Sequence, residues 1–232
     1  MASFELQVEG LTGIAISTDT NPTQDELTQF LSDGVLDVTK RCIQAKPGEA
    51  TKFTRRSAEQ TSQGFDSGGA QILSVIRESG TDNDWRNCRQ VSTGLQGRVV
   101  DTESLHFASK FNPAYIIEDD GIINVYPAPG SNPDAYKVFY VNASPIDGDG
   151  NALTYADSTL GSFPNDKVYL VAIYAAIKTL EAKMAEFAID EEDGELVQAI
   201  SSNLASLKQQ YEGAFASMAP PQPQQQAGGR RR

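Results

Sequence analysis

The chain has one histidine, His106, and two cysteines, Cys42 and Cys88, which narrows the chemistry its side chains can do. Asp66-Ser67-Gly68-Gly69 has the residue types of a serine nucleophile turn, and His106 is the one available base. A Ser–His–Asp arrangement is defined by geometry, so finding the histidine after the serine in the chain is not fatal. The competing and stronger reading is a Gly-rich turn, with His106 structural between Leu105 and Phe107. Asp147-Gly148-Asp149-Gly150-Asn151 sets oxygen ligands at alternate positions, as a calcium loop begins. Its sixth position is Ala152 where such a loop needs Gly, and its twelfth is Ser158 where it needs Glu. A solvated turn fits it better. The cysteines are too few for a disulfide framework and have no Cys or His at metal-ligand spacing. There is no phosphate-binding glycine loop, no histidine pair on a helix and no dinucleotide fingerprint. These residues point away from an enzyme and imply no metal and no cofactor.

Two basic spots remain, Arg55-Arg56 and Arg230-Arg231-Arg232. An arm ending in three arginines can dock on an acidic partner or on DNA phosphates. A solubilising tail is the alternative on composition alone.

The elements that must carry such an arm are centred on residues 163–218, which read as two helices joined by an acidic turn. The first starts near Ser162-Phe163-Pro164, since Pro is tolerated in a first turn and Asp166 suits the positive end of the helix dipole. Ile173, Ile177, Leu180, Met184 and Phe187 recur at helical spacing, and Leu170, Val171 and Tyr174 widen the apolar face. Asp190-Glu191-Glu192-Asp193-Gly194 is the turn. Val197, Ile200, Leu204, Leu207, Tyr211, Ala214 and Met218 then alternate by three and four, the pattern of a coiled-coil seam. That seam can close an antiparallel hairpin within one chain or join two subunits; short links favour the hairpin. As an expectation, Leu170, Val171, Tyr174, Leu204, Leu207 and Tyr211 are the side chains for packing between copies.

Upstream, Phe4, Leu6 and Val8 alternate with polar residues, which predicts an extended strand within residues 1–22. Thr23-Gln24-Asp25-Glu26 is a capping box and opens a helix over 24–45, with Cys42 on its apolar stripe as a buried small hydrophobe. Lys40 and Arg41 suit its C-terminal end, and Gly34 inside it suggests close packing against another helix. From about residue 52 to 143 the period changes to short apolar runs. Gln71–Arg77, Tyr115–Glu118, Ile122–Tyr126 and Tyr136–Val141 read as strands, with Asp119-Asp120-Gly121 as a hairpin turn. Trp85–Val91 and Phe53–Arg56 are weaker strands, and residues 92–109 have no clear assignment. The fold class is α+β: a three-helix bundle with an inserted antiparallel β-sandwich or barrel-like domain and an extended C-terminal arm. The divisions are 1–50, a β-rich 51–145, a loop at 146–162, the helical hairpin at 163–218, and the arm at 219–232. The arm's Pro, Gln, Gly and Arg cannot bury a core, so the isolated chain is expected to be disordered there.

The chain is 232 residues long with a formal charge of −12 and a sequence pI of about 4.5. An acidic body argues against wrapping nucleic acid, although an acidic wall suits a conduit that DNA slides through without sticking. Plain solubility explains the charge as well. No apolar run reaches membrane-span length. The start MASFELQVEG lacks the features of a signal peptide, so the protein is expected to stay in the cytoplasm where it is made unless an assembly carries it out.

The opening TQDELTQFLSDGVLDVTKR, the strand region IIEDDGIINVYPAP and the segment FPNDKVYLVAIYAAIKTLEAKM, followed by a last helix, resemble virion structural proteins of marine tailed bacteriophages. The plan of helices with an inserted β-domain resembles the head-to-tail connector, or adaptor, proteins. The likeness runs from about residue 10 to 215. It implies a homo-oligomeric, dodecameric ring in the virion neck, between the portal protein and the tail or nozzle proteins, made in the host cytoplasm. DNA would pass through without sequence-specific binding. It implies no membrane partner and no catalytic residues. Arg230, Arg231 and Arg232 would then meet portal or a neighbouring subunit. A stopper or tail terminator is the alternative station. A receptor- or carbohydrate-binding virion module, using Trp85, Tyr126, Tyr136 and Tyr140, is the alternative class.

Overall fold

The computed structural model describes residues 2–142, 144–187 and 194–218. The chain is mixed α and β. Its α-helices among the described residues are α1 (Phe4–Thr12), α2 (Gln24–Ala45), α3 (Gln96–Val100), α4 (Val168–Phe187) and α5 (Gly194–Ala216). Its strands are β1 (Thr54–Arg56), β2 (Phe65–Asp66), β3 (Ile72–Glu78), β4 (Trp85–Asn87), β5 (Arg89–Gln90), β6 (Ala114–Ile117), β7 (Ile122–Tyr126) and β8 (Tyr136–Val141). The chain divides into two compact units. One is residues 50–168; the other joins Ala2–Glu49 to the chain from Tyr169 onward.

In the helical unit, α2 begins where the capping box predicts: Thr23 Oγ1 accepts the Glu26 N–H, and the Glu26 carboxylate accepts the Thr23 N–H at 2.8 Å. Its inward face is Leu27, Leu31, Val35, Val38 and Cys42, all buried. Gly34 lies under Tyr174 of α4. A Cβ added at Gly34 would stand 3.0 Å from the tyrosine Cδ1, so the glycine is a packing requirement.

The first element differs from expectation. The segment from Phe4 to Thr12 is a helix, not a strand. Phe4 and Val8 satisfy a period of two, but they also lie one helical turn apart and are buried together, while Leu6 between them is exposed. Local caps at both ends reinforce the helix that this shared burial selects. Ser3 Oγ caps the Leu6 N–H, and Gly13, with φ 71°, closes the C-terminus by donating its N–H to the Glu9 carbonyl at 2.8 Å.

In the β-rich unit, the strands form two four-stranded sheets, ordered β1-β8-β3-β4 and β2-β7-β6-β5, and neither closes into a barrel. The expected β6–β7 hairpin forms, with Ile117 opposite Ile123, about a short 3-10 turn at Asp119–Gly121. Gly121 has φ 85°, and a Cβ there would meet Ser67 Oγ at 2.7 Å. Trp85–Val91 is not one strand. β4 pairs with β3 in the first sheet, and after Cys88 the chain enters the second sheet, where β5 runs parallel to β6. The pairing is therefore not wholly antiparallel. Val75, Tyr136 and Val138 of the first sheet share one buried cluster with Tyr115, Ile123 and Val125 of the second. The unassigned stretch 92–109 holds a 3-10 turn at Thr93–Leu95 and α3, whose Val99 packs with Ala108 and Ile116.

Residues 146–162, expected as a loop, hold no helix or named strand. α4 follows a 3-10 turn at Asn165–Lys167, a few residues later than the Pro-based start suggests. The acidic turn and the C-terminal arm lie outside the described residues. Gly34→Val forces the new side chain into the Tyr174 ring, so we expect a stability loss of about 1–3 kcal/mol with helical content retained. Urea denaturation followed by circular dichroism checks this.

Candidate functional site

The densest polar cluster of the helical unit ties α2 to α5. Tyr211 is buried and donates its hydroxyl to Asp37 Oδ2 at 2.6 Å. Burial, together with that hydrogen bond to a carboxylate, raises the phenol far above its ordinary range, so it stays protonated. Arg41 donates Nε to Asp37 at 2.9 Å and Nη1 to both carboxylate oxygens of Glu212, at 2.8 and 3.0 Å. Its guanidinium lies 5.2 Å from the ring centres of Tyr211 and Phe215. Arg41, near the C-terminal end of α2, thus pairs both within its own helix, with Asp37, and across to Glu212 of α5. The Tyr174 ring packs 5.9 Å from Tyr211 and completes the junction. Nothing in this cluster is poised for chemistry. Every charge has an opposite partner, and the phenol is held neutral.

The side chains expected to pack between copies are used inside the chain. Leu170, Val171, Leu204, Leu207 and Tyr211 are buried, and Tyr174 is half-buried between Gly34 and Tyr211. The α5 stripe, once folded, is Ile200, Leu204, Leu207, Tyr211 and Phe215; Val197 and Ala214 are only half-covered. The seam therefore closes within the chain. Arg230, Arg231 and Arg232 lie outside the described residues.

Among the described residues of the helical unit, one open hollow, of about 480 Å³, lies between α1 and the start of α4. Leu6, Leu11, Tyr169, Ala172 and Ile173 line it, and Leu6 and Tyr169 are 59% and 50% exposed. Reading residues 1–22 as extended hides this site. The signal for it was the Ser3 and Gly13 pair of helix ends, which turns Leu6 away from the Phe4–Val8 face.

The chemical candidates resolve into local structure. Ser67 donates its hydroxyl to the Gly121 carbonyl at 2.8 Å, and Asp66 Oδ1 accepts the Gly68 N–H at 2.7 Å. They clip the β6–β7 turn, and no hydrogen bond links either to His106 among the described residues. The His106 carbonyl instead accepts from Arg89, and its N–H donates to Ser104 Oγ at 3.1 Å. Asp147 Oδ1 accepts the N–H groups of Asp149 and Asn151 at 2.9 and 2.8 Å, and Oδ2 accepts from the Asn151 amide at 3.1 Å. The Asn151 side chain first, and then those backbone donors, hold the Asp147 carboxyl below its usual range. No group of three or more His, Cys, Asp or Glu is placed to hold a metal ion among the described residues.

Burial pushes the Cys88 thiol up to about 12, and Cys42 is buried as well. Of the four platform aromatics only Tyr136 is buried; Trp85, Tyr126 and Tyr140 are half-buried. Tyr136 is wholly inside the core, Tyr140 packs against Phe65, and Trp85 lies 3.9 Å from Lys137 Nζ. Tyr126 accepts a hydrogen bond from Gln96 at 2.9 Å.

No protein-family model matches the chain, and no curated protein matches it in sequence.

Tyr211→Phe leaves the Asp37 carboxylate without its phenolic donor, and we expect a loss of about 1–3 kcal/mol by urea denaturation. Asp147→Asn tests the depressed carboxyl. Its stabilisation is fully present above the ordinary carboxylate pKa and disappears as pH falls through the lowered native value. The variant should melt lower than the parent at pH 7 and approach it in acid, read by calorimetry across pH.

Proposed function

We propose that the chain is a structural virion protein of a tailed bacteriophage, a head-to-tail adaptor that forms a ring between portal and tail. The observation that carries this reading is the split of the chain. A helical unit built from both chain segments, Ala2–Glu49 and Tyr169 onward, is interrupted by a β-rich unit at 50–168. This is the order on which the resemblance to connector proteins rests. The helical unit is read as a bundle, supported by contacts among its helices: Gly34 beneath Tyr174, Tyr174 beside Tyr211, and Asn203 donating to the Leu11 carbonyl at 3.1 Å. The β-rich unit is read as a sandwich, supported by the cluster that draws on both sheets.

A ring assembled head to tail needs two different surfaces on each subunit. The buried helix faces cannot supply them. Apolar side chains left exposed can: Val100, Leu105 and Phe111 on the β-rich unit, and Leu36 on α2. DNA then passes through an acidic lumen that repels phosphate, and the arm with Arg230–Arg232 reaches portal.

Mass photometry of the purified chain, alone and mixed with the portal protein, is the test. Rings or portal-bound complexes are expected. Monomers under both conditions would sink the adaptor reading. Leu105→Glu with Phe111→Glu should leave the circular dichroism spectrum unchanged and reduce assembly, because both side chains lie on the surface.

A further inference from the structure

The apolar hollow between α1 and α4 is one of two open on the helical unit among the described residues; the other, of about 340 Å³, is lined by Leu180, Phe187, Leu196 and Ile200. The position of the α1–α4 hollow relative to the end of α5 suggests an occupant. α4 and α5 run antiparallel: Tyr174 meets Tyr211, and further along α4 the Glu181 carboxylate takes the Lys208 ammonium at 2.9 Å. Residues Tyr169–Ile173 therefore lie level with the last turn of α5. The described chain leaves at that end, where the Met218 N–H donates to the Phe215 carbonyl at 3.0 Å. The remaining residues, 219–232, reach roughly 43 Å if extended as polyproline, against a helix diameter of roughly 10–12 Å.

The composition of that segment suits the hollow. Pro220-Pro221-Gln222-Pro223 has the PxxP spacing of segments that dock in aromatic-lined apolar grooves at low entropic cost. The hollow offers the Tyr169 ring between Leu6 and Ile173. Charge agrees. Residues 2–49 and 169–218, which make the helical unit, hold 16 Asp and Glu against 6 Lys and Arg. Residues 219–232 hold three Arg and no acid.

We infer that residues 219–232 dock in the α1–α4 hollow of their own chain, the prolines on Tyr169 and Leu6 and the arginines on the acidic surface beyond. The inference goes beyond the adaptor reading and does not depend on it.

The test uses the full chain with a photo-crosslinking benzoylphenylalanine at Leu6. We expect adducts to peptides from 219–232 at the mass of one chain. Replacing Pro220, Pro221 and Pro223 with Gly should lower their yield about tenfold, the equivalent of 1.4 kcal/mol. Adducts only to other segments, adducts only at twice the mass, or no adduct overturn the proposal. A second measurement leaves Leu6 native. A nitroxide on Gln225→Cys should broaden the resonances of Tyr169 and Ile173, and unbroadened signals overturn the proposal equally. Both readouts come from the chain without portal, so failure of the ring assay leaves them interpretable.

Discussion

The helical unit depends on the contact at Tyr174. Its ring occupies the space left by the missing side chain of Gly34 and touches Tyr211. Three helices from two distant parts of the chain meet there. The segment between them, residues 50–168, is a compact unit of its own. A long connection costs less closure entropy when it is itself folded, because its ends are already fixed. The junction must still hold the two segments in register. It does so with directional groups as well as bulk: the Tyr211–Asp37 hydrogen bond, the Arg41 pairs to Asp37 and Glu212, and the guanidinium over two rings. The exposed ion pairs contribute little stability individually. Their geometry specifies which turn of α5 faces which turn of α2.

The β-rich unit solves a different problem with short strands. Edges of small sheets invite pairing with other chains, and here side chains occupy some of the groups that strands leave free. The Gln63 amide both donates to the Val125 carbonyl and accepts its N–H, doing for β7 what a longer β2 would do. Ser57 Oγ accepts the Val138 N–H at 2.9 Å, which helps β8 in the same way. Arg77 is almost wholly buried and donates to the carbonyls of Pro127, Ala128 and Glu78 and to the Asp134 carboxylate. These contacts are polar scaffolding.

The residue types that could do chemistry are tied into the fold. The Ser67 and Asp147 side chains bond to backbone, His106 is held through its own N–H and carbonyl, and the two cysteines are buried. The features that stay available are apolar and exposed: Leu6 and Tyr169 at the hollow, and Val100, Leu105 and Phe111 on the β-rich unit. Large exposed apolar patches are where proteins in general meet other macromolecules.

The sequence alone determined the helix starting at Thr23, the β6–β7 hairpin, the β8 strand and the helical character of α4 and α5. In each, cap chemistry, turn residues and periodicity agree, and no distant contact is needed to choose between them. It also marked Gly34 as a close-packing site, because a glycine inside a helix needs a reason. Three things were left to tertiary structure. Phe4, Leu6 and Val8 fit both a strand and a helix, and burial of Phe4 with Val8 selects the helix. Trp85–Val91 reads as one strand, yet Cys88 carries the chain from one sheet to the other, which depends on what β3 and β6 offer on either side. The stripe on α5 has the spacing of a seam between subunits, but α2 and α4 cover it within the chain. Periodicity says that a face must be buried; only the assembled fold says against what.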